Sequence, residues 1–210
     1  MRRPEFIARQ ARCPSGLLGR VLARIMASET AAVNEKALEL LQIEPTDYVL
    51  EIGFGHGRTV ARAAALAWAG VVSGIDVSHD MVHLATRRNR PLIEEGRVKL
   101  QQGDSVRLPY DDGSFDGVYA VHTVYFWSHP HEHLREIHRV MKDGARVVLG
   151  FRSREDHQAV ANFPSTIYQF YTGDEVSGFL NDVGFSRVQI LNQRTSSSVM
   201  TFGVAHRLPS

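Results

Sequence analysis

Short β-branched runs alternate along this chain with longer segments whose apolar residues recur at helical spacing. That alternation predicts a mainly parallel sheet with helices on both faces. The predicted strands are Tyr48 to Ile52, Val71 to Ile75, Val98 to Gln101, Phe115 to Val121 and Arg146 to Phe151. Arg187 to Leu191 and Val199 to Ala205 follow, joined through Ser196, Ser197 and Ser198 by a polar turn short enough for an antiparallel hairpin. Between the strands, helices are predicted over Arg58 to Trp68, His79 to Asn89, His131 to Lys142 and Asp174 to Val183. In the third of these, Leu134, Ile137 and Met141 share a face. In the fourth, Asp174 after Gly173 is the candidate cap and Gly184 the stop. Ahead of the sheet, Leu17–Leu18, Val21–Leu22 and Ile25–Met26 recur at helical spacing, and a second helix holds Leu38, Leu40 and Leu41 and ends by Pro45. Residues 152–172 lack a clear period and contain Pro164.

Composition narrows the class. With 43% hydrophobic and 22% charged residues in 210, the chain is an ordinary globular domain, neither disordered nor fibrous. A net charge of +1 argues against a dedicated nucleic-acid binder. Cys13 is the single cysteine, so no intrachain disulfide forms and a cytoplasmic setting fits. No apolar run approaches the ~20 residues of a membrane span. The start of the chain is rich in arginine (Arg2, Arg3, Arg9, Arg12, Arg20, Arg24) against Glu5 alone. It reads as a basic amphipathic helix over the fold or as an organelle transit peptide.

In an open α/β sheet, ligands bind beyond the carboxyl ends of the strands. There the first strand runs into Gly53-Phe54-Gly55-His56-Gly57, preceded by Glu51. Glycines let the chain turn sharply and let a ligand approach the backbone. The spacing is G-x-G-x-G with Arg58 next, which departs from the dinucleotide fingerprint G-x-G-x-x-G. Asp76 ends the second strand, where an acid can accept hydrogen bonds from both ribose hydroxyls of an adenosine ligand, or cap the next helix.

These segments resemble the class I S-adenosylmethionine (SAM)-dependent methyltransferases, in particular the small single-domain branch similar to the ubiquinone/menaquinone methyltransferases. Residues 49–57 resemble the family's first motif and residues 74–82 its second. Residues 103–127 resemble its third and fourth, and residues 134–152 its helix and fifth strand. The resemblance implies a Rossmann-like α/β fold with a seven-stranded, mostly parallel sheet of order 3-2-1-4-5-7-6 and strand seven antiparallel. It implies SAM as cofactor, held by Glu51, Gly53, Phe54, Gly55, Gly57, Asp76, Val77, Met81, Gly103, Asp104, Ser105 and Val121. Among these, Asp76 would be the ribose acid, Met81 would pack on adenine and Asp104 would contact its amino group. Where relatives have Pro-Gly-Gly, residues 142–145 read Lys-Asp-Gly-Ala, a helix-to-strand turn.

The expected organisation is one domain over 1–210, with a helical lid segment at 1–42 and a core at 43–210 carrying a candidate cap at 152–172. The expected acceptor is a small molecule, and a monomer or homodimer is expected. Asn-Pro-Pro-Tyr, typical of many methylators of nucleobases and protein amides, is missing after the fourth strand, where Val121-His122-Thr123-Val124 stands. RNA or protein methylation, or SAM binding without catalysis, remain the alternatives. Methyl transfer by in-line displacement needs alignment and water exclusion more than a protein nucleophile. His122 is the candidate base for a hydroxyl or phenol, with a wall or cofactor contact as the alternative. Tyr125, Trp127, Tyr168 and Tyr171 are candidate substrate residues, with core packing as the alternative. His129, His131 and His133 alternate but lack the H-E-x-x-H spacing, so no metal is assigned.

Overall fold

The computed structural model describes residues 4–16, 19, 30–194 and 199–208. The apolar pairs at 17–26 and the turn at Ser196–Ser198 lie outside these residues. Seven strands form one sheet: β1 Tyr48–Ile52, β2 Val71–Asp76, β3 Val98–Gln102, β4 Phe115–Val121, β5 Met141–Phe151, β6 Phe185–Arg194 and β7 Val199–Arg207. Their order is β3-β2-β1-β4-β5-β7-β6. β1 pairs in parallel with β2 and β4, and β7 lies antiparallel between β5 and β6. The described helices are α1 Glu5–Arg12, α2 Ala31–Leu41, α3 Arg58–Leu66, α4 His79–Arg88, α5 Arg90–Glu94, α6 Pro130–Val140, α7 His157–Val160 and α8 Gly173–Asp182, with a 3-10 turn at Val124–Phe126.

Side chains that alternate along the strands build two cores, one on each face of the sheet. Val49, Val72, Tyr119 and Val148 pack against Val33, Ala37 and Leu41 of α2 and Val60, Ala63 and Ala64 of α3. Leu50, Ile75, Val118, Val147 and Leu149 pack on the other face against Leu134 and Ile137 of α6 and Leu180 of α8. Ala8 of α1 joins this second core at 1% exposure. α1 is tied further by Thr166 Oγ1 donating to Glu5 Oε1 at 2.9 Å. Just beyond it, the Gly16 amide donates to Asp80 Oδ2 at 2.6 Å. The start of the chain therefore straps residues 152–172 to the head of α4.

Three expectations need correction. Met141 is not on the face of α6: the helix stops at Val140, and Met141 turns extended (φ −78°, ψ 144°) and pairs with Phe115. Residues 142–145 are consequently part of β5, in an irregular stretch between the Phe115 and Gly117 pairings, with Gly144 at φ +81°. Asp174 does not cap α8. Thr172 Oγ1 accepts from the Glu175 amide at 3.1 Å while Glu175 Oε2 accepts from the Thr172 amide at 2.7 Å, a reciprocal capping box.

Candidate active site

The carboxyl ends of β1, β2 and β4 open into a cavity of about 230 Å³. At its floor the three glycines do two different jobs. Gly53 (φ +75°) and Gly55 (φ +52°) both line the cavity in the left-handed region that glycine tolerates. A Cβ on Gly53 would collide with the Thr123 methyl, whereas one on Gly55 would meet nothing within 4 Å. Gly57 does not line the cavity. A Cβ there would come within 2.6 Å of Ala85 Cβ and 2.7 Å of Asn89 Nδ2, so it is glycine to let α3 approach α4. Asn89 Nδ2 donates to the Gly57 carbonyl at 2.9 Å across that contact.

Two buried carboxylates face this loop. Asp76 accepts from the Gly55 amide through Oδ2 and from the Ser78 amide through Oδ1, each at 2.8 Å. Burial raises its pKa, and the two amides oppose the rise. Each oxygen keeps a further lone pair for a ligand. The helix cap is Ser78, whose Oγ accepts from the Met81 amide at 3.2 Å. Glu51 is 5% exposed and accepts from Tyr119 Oη at 2.6 Å. Burial pushes its pKa up to about 8; the Tyr119 bond resists this and the Asp76 charge reinforces it. At neutral pH Glu51 therefore mostly carries a proton.

Phe54, Val77, Met81, Gly103 and Val121 line the cavity as expected, as do Asp104 and Ser105 after β3. Ser105 Oγ lies 2.7 Å from His133 Nδ1. The His133 ring stacks on Trp127, with centroids 4.8 Å apart and planes at 11°. Burial pushes the His133 pKa down to about 4, against the pull of Asp104 and Glu132. The ring is neutral at pH 7 and acts as a polar wall. His131 instead meets Asp182 at 3.1 Å, and no metal-holding group of His, Cys, Asp or Glu forms among the described residues.

After β4, His122 lines the cavity in a left-handed backbone conformation (φ +60°), its amide donating to the Gly150 carbonyl at 2.8 Å. Its Nδ1 lies 2.9 Å from Tyr125 Oη. Burial pushes its pKa down to about 3, and the Arg152 charge acts the same way. Trp127 lines the cavity, but Tyr125, Tyr168 and Tyr171 do not. Tyr125 packs on Phe170, with centroids 4.9 Å apart, and Tyr168 stacks on Phe170 at 5.6 Å. Tyr171 Oη donates to the Trp127 carbonyl at 3.1 Å. These three are buried in the aromatic seam by which residues 152–172 pack on the core. Phe126, from the aromatic run that the sequence offers as a wall but not among its named substrate residues, lines the cavity beside Trp127.

Other lining residues lie outside the site residues named from the sequence. Ala11, Arg12 and Pro14 come from the N-terminal strap, Thr30 and Asn34 from the start of α2, His56 from the loop into α3 and Thr59 from the first turn of α3. Thr123 presents a buried Oγ1 with no hydrogen-bond partner among the described residues. The Arg-rich start, read as a basic helix over the fold, points toward Arg12, and the glycine loop contains His56; no sequence signal marks the others.

The residues present fit an adenosyl ligand: the open space at Gly55, the orphaned Thr123 hydroxyl and the Asp76 lone pairs all border one cavity. Residues 50–149 match a family model described as a methyltransferase domain. An O-methyltransferase from Pyrenophora dematioidea is 26% identical over 171 residues, covering 79% of this chain and 64% of that protein. The uncharacterized methyltransferase YdaC of Bacillus subtilis (strain 168) is 28% identical over 166 residues, covering 79% and 90%. The chain spans less than two thirds of the Pyrenophora protein and about half of several other curated relatives. A SAM-dependent methyltransferase structure from Aquifex aeolicus superposes with a TM-score of 0.67 at 24% identity, covering 82% of this chain and 88% of that one, and so shows the fold. Over residues 50–149 the chain is thus similar to methyltransferase domains, and its fold is the one that a SAM-dependent methyltransferase adopts.

Proposed function

We propose that the protein transfers the SAM methyl group to a small-molecule acceptor with a planar or apolar body. What supports this reading is one cavity that joins the glycine loop and its acids to the aromatic wall of Phe126 and Trp127. The resemblance to the ubiquinone/menaquinone branch points the same way, and the name of the Pyrenophora relative favours oxygen as the methylated atom. When bound, SAM supplies a methyl group activated by its sulfonium charge.

The chain's own residues have four tasks. Asp76 would take the ribose hydroxyls while its amide bonds keep Gly55 in place. Glu51 would face the cationic end of the cofactor, with Tyr119 fixing its orientation. Asp104 and Ser105 would border the adenine, with Met81 beneath it. Residues 1–42 would act as a lid, since Ala11, Arg12 and Pro14 already close one side of the cavity and their closure excludes water. With a single cysteine and no helix among the described residues long and apolar enough to cross a membrane, we place the enzyme in the cytoplasm, as a monomer or homodimer.

The test is methyl transfer from radiolabelled SAM to a panel of phenols, hydroxy ketones and quinols, run beside total RNA and total protein. Label in an organic-soluble product is the expected result. Label confined to RNA or protein would refute the small-molecule reading.

A further inference from the structure

We propose that His122 is a neutral hydrogen-bond donor to an oxygen of the methyl acceptor, and not a base, because Tyr125 locks its ring proton on Nε2. The inference rests on the reading of the cavity as a small-molecule methylation site.

The lock follows from counting hydrogens. Tyr125 Oη accepts from the Arg152 amide at 2.6 Å, and an amide can only donate. The phenol has one hydrogen left to place. Its hydroxyl belongs to a buried side chain, and it lies 2.9 Å from His122 Nδ1, which can accept that hydrogen. Were Nδ1 protonated, the phenol oxygen would face two donors and its own hydrogen would be left without a partner, a costly arrangement in a buried site. Nδ1 therefore accepts, and the neutral ring carries its hydrogen on Nε2. Protonating the ring would recreate the same conflict beside the Arg152 charge, in keeping with the depressed pKa.

Nε2 makes no hydrogen bond to any described residue, while the ring lines the cavity. The backbone at φ +60° holds the ring there at the expense of a conformation that non-glycine residues avoid. An N–H donor at that wall matches an oxygen that only accepts: a carbonyl, an enolate, a phenolate or a carboxylate. Placed on the attacking atom it would blunt the nucleophile. The acceptor class it fits carries such an oxygen beside the methylated atom, as a hydroxy ketone or an enolised dicarbonyl does. The donor then draws negative charge from the attacking group and favours its ionisation, the released proton going to water.

A SAM carboxylate offers the same chemistry, so the test separates the two sources. Protein labelled with 15N-histidine is examined by NMR with S-adenosylhomocysteine, and again with 5′-methylthioadenosine, which lacks the amino-acid carboxylate. The expected His122 signals show Nδ1 bare and Nε2 protonated, without titration from about pH 5.5 to about pH 8.5, and alike with both ligands. A proton on Nδ1, or titration at an ordinary histidine pKa, overturns the lock. A shift at Nε2 with S-adenosylhomocysteine alone assigns the donor to the cofactor and overturns the acceptor contact.

Tyr125→Phe keeps the ring and removes the hydroxyl. It should release the tautomer preference while leaving S-adenosylhomocysteine affinity within about twofold; an unchanged tautomer removes Tyr125 from the account. Glutamine can donate but cannot take a proton at neutral pH. With an acceptor found in the panel, His122→Gln should keep most of the turnover that His122→Ala loses, a gap of about tenfold, one hydrogen bond's worth. Equal losses in both restore the base. The NMR arm stands without any acceptor, so its failure is distinct from failure of the small-molecule reading.

Discussion

Glu51→Gln isolates the buried acid beside the glycine loop. The wild-type carboxyl has its pKa raised to about 8 from an ordinary 4.5, chiefly by burial. A raised folded-state pKa means that the folded protein holds a proton which the unfolded chain releases. Its contribution to stability is fully present below the unfolded pKa and is lost as pH rises through the folded one. Linkage over that gap gives a loss of about 3 kcal/mol between about pH 5.5 and about pH 8.5. The glutamine variant is neutral throughout, and its amide oxygen can still accept from Tyr119. Its stability relative to wild type should therefore rise by that amount across the range, which in a chain of this size is ~6–12 °C in Tm. Urea unfolding and thermal melts of both proteins across the range provide the measurement. A difference between the two proteins that stays constant with pH would show Glu51 ionising at an ordinary value, and would refute the reasoning from burial.

The other substitutions separate fold from site. Gly57→Ala should cost ~2–4 kcal/mol, from its left-handed backbone and the overlap with Ala85, yet leave S-adenosylhomocysteine affinity of the folded fraction unchanged. Gly55→Ala should cost only ~1–2 kcal/mol of stability but weaken that affinity, because its Cβ enters the cavity; calorimetry and melts on the pair check both. Thr172→Ala removes the capping-box acceptor and should lower stability by ~1 kcal/mol in urea unfolding, with no change in cofactor binding. Deletion of residues 1–30 should leave a folded core by circular dichroism with poor turnover, and full activity in the truncated protein would rule out the lid.

Much of this architecture is written in local pattern. Val49 and Leu50, or Val147 and Val148, show by their adjacency that both faces of the sheet are buried. Because a ligand site in such a fold sits at strand ends, Gly53, Asp76 and Asp104 could be located by counting from the strands. Met141 is ambiguous in the sequence because an apolar residue seven positions after Leu134 fits a helix face as well as a strand start. Thr172 and Glu175 carry the capping-box spacing, and Asp174 between them is by residue type an equally good cap. Gly57 could not be told from Gly55 by residue type, since what divides them is the neighbour that a Cβ would meet. His133 was beyond reach because its partner Ser105 lies 28 positions earlier in the chain. Tyr125, Tyr168 and Tyr171 fell on the core side because an aromatic cluster buries its own rings before it offers any to a ligand.

The central claim is that the cavity at the ends of β1, β2 and β4 binds SAM through Asp76. Isothermal titration of S-adenosylhomocysteine into wild-type protein and Asp76→Ala tests it most directly, with NAD as the control ligand. The account predicts binding to wild type, none of NAD, and a loss of ~1–3 kcal/mol in the variant, or about fivefold to 150-fold in Kd, the scale of a lost charged acceptor. Equal affinity in the two proteins, or tighter binding of NAD, would contradict it.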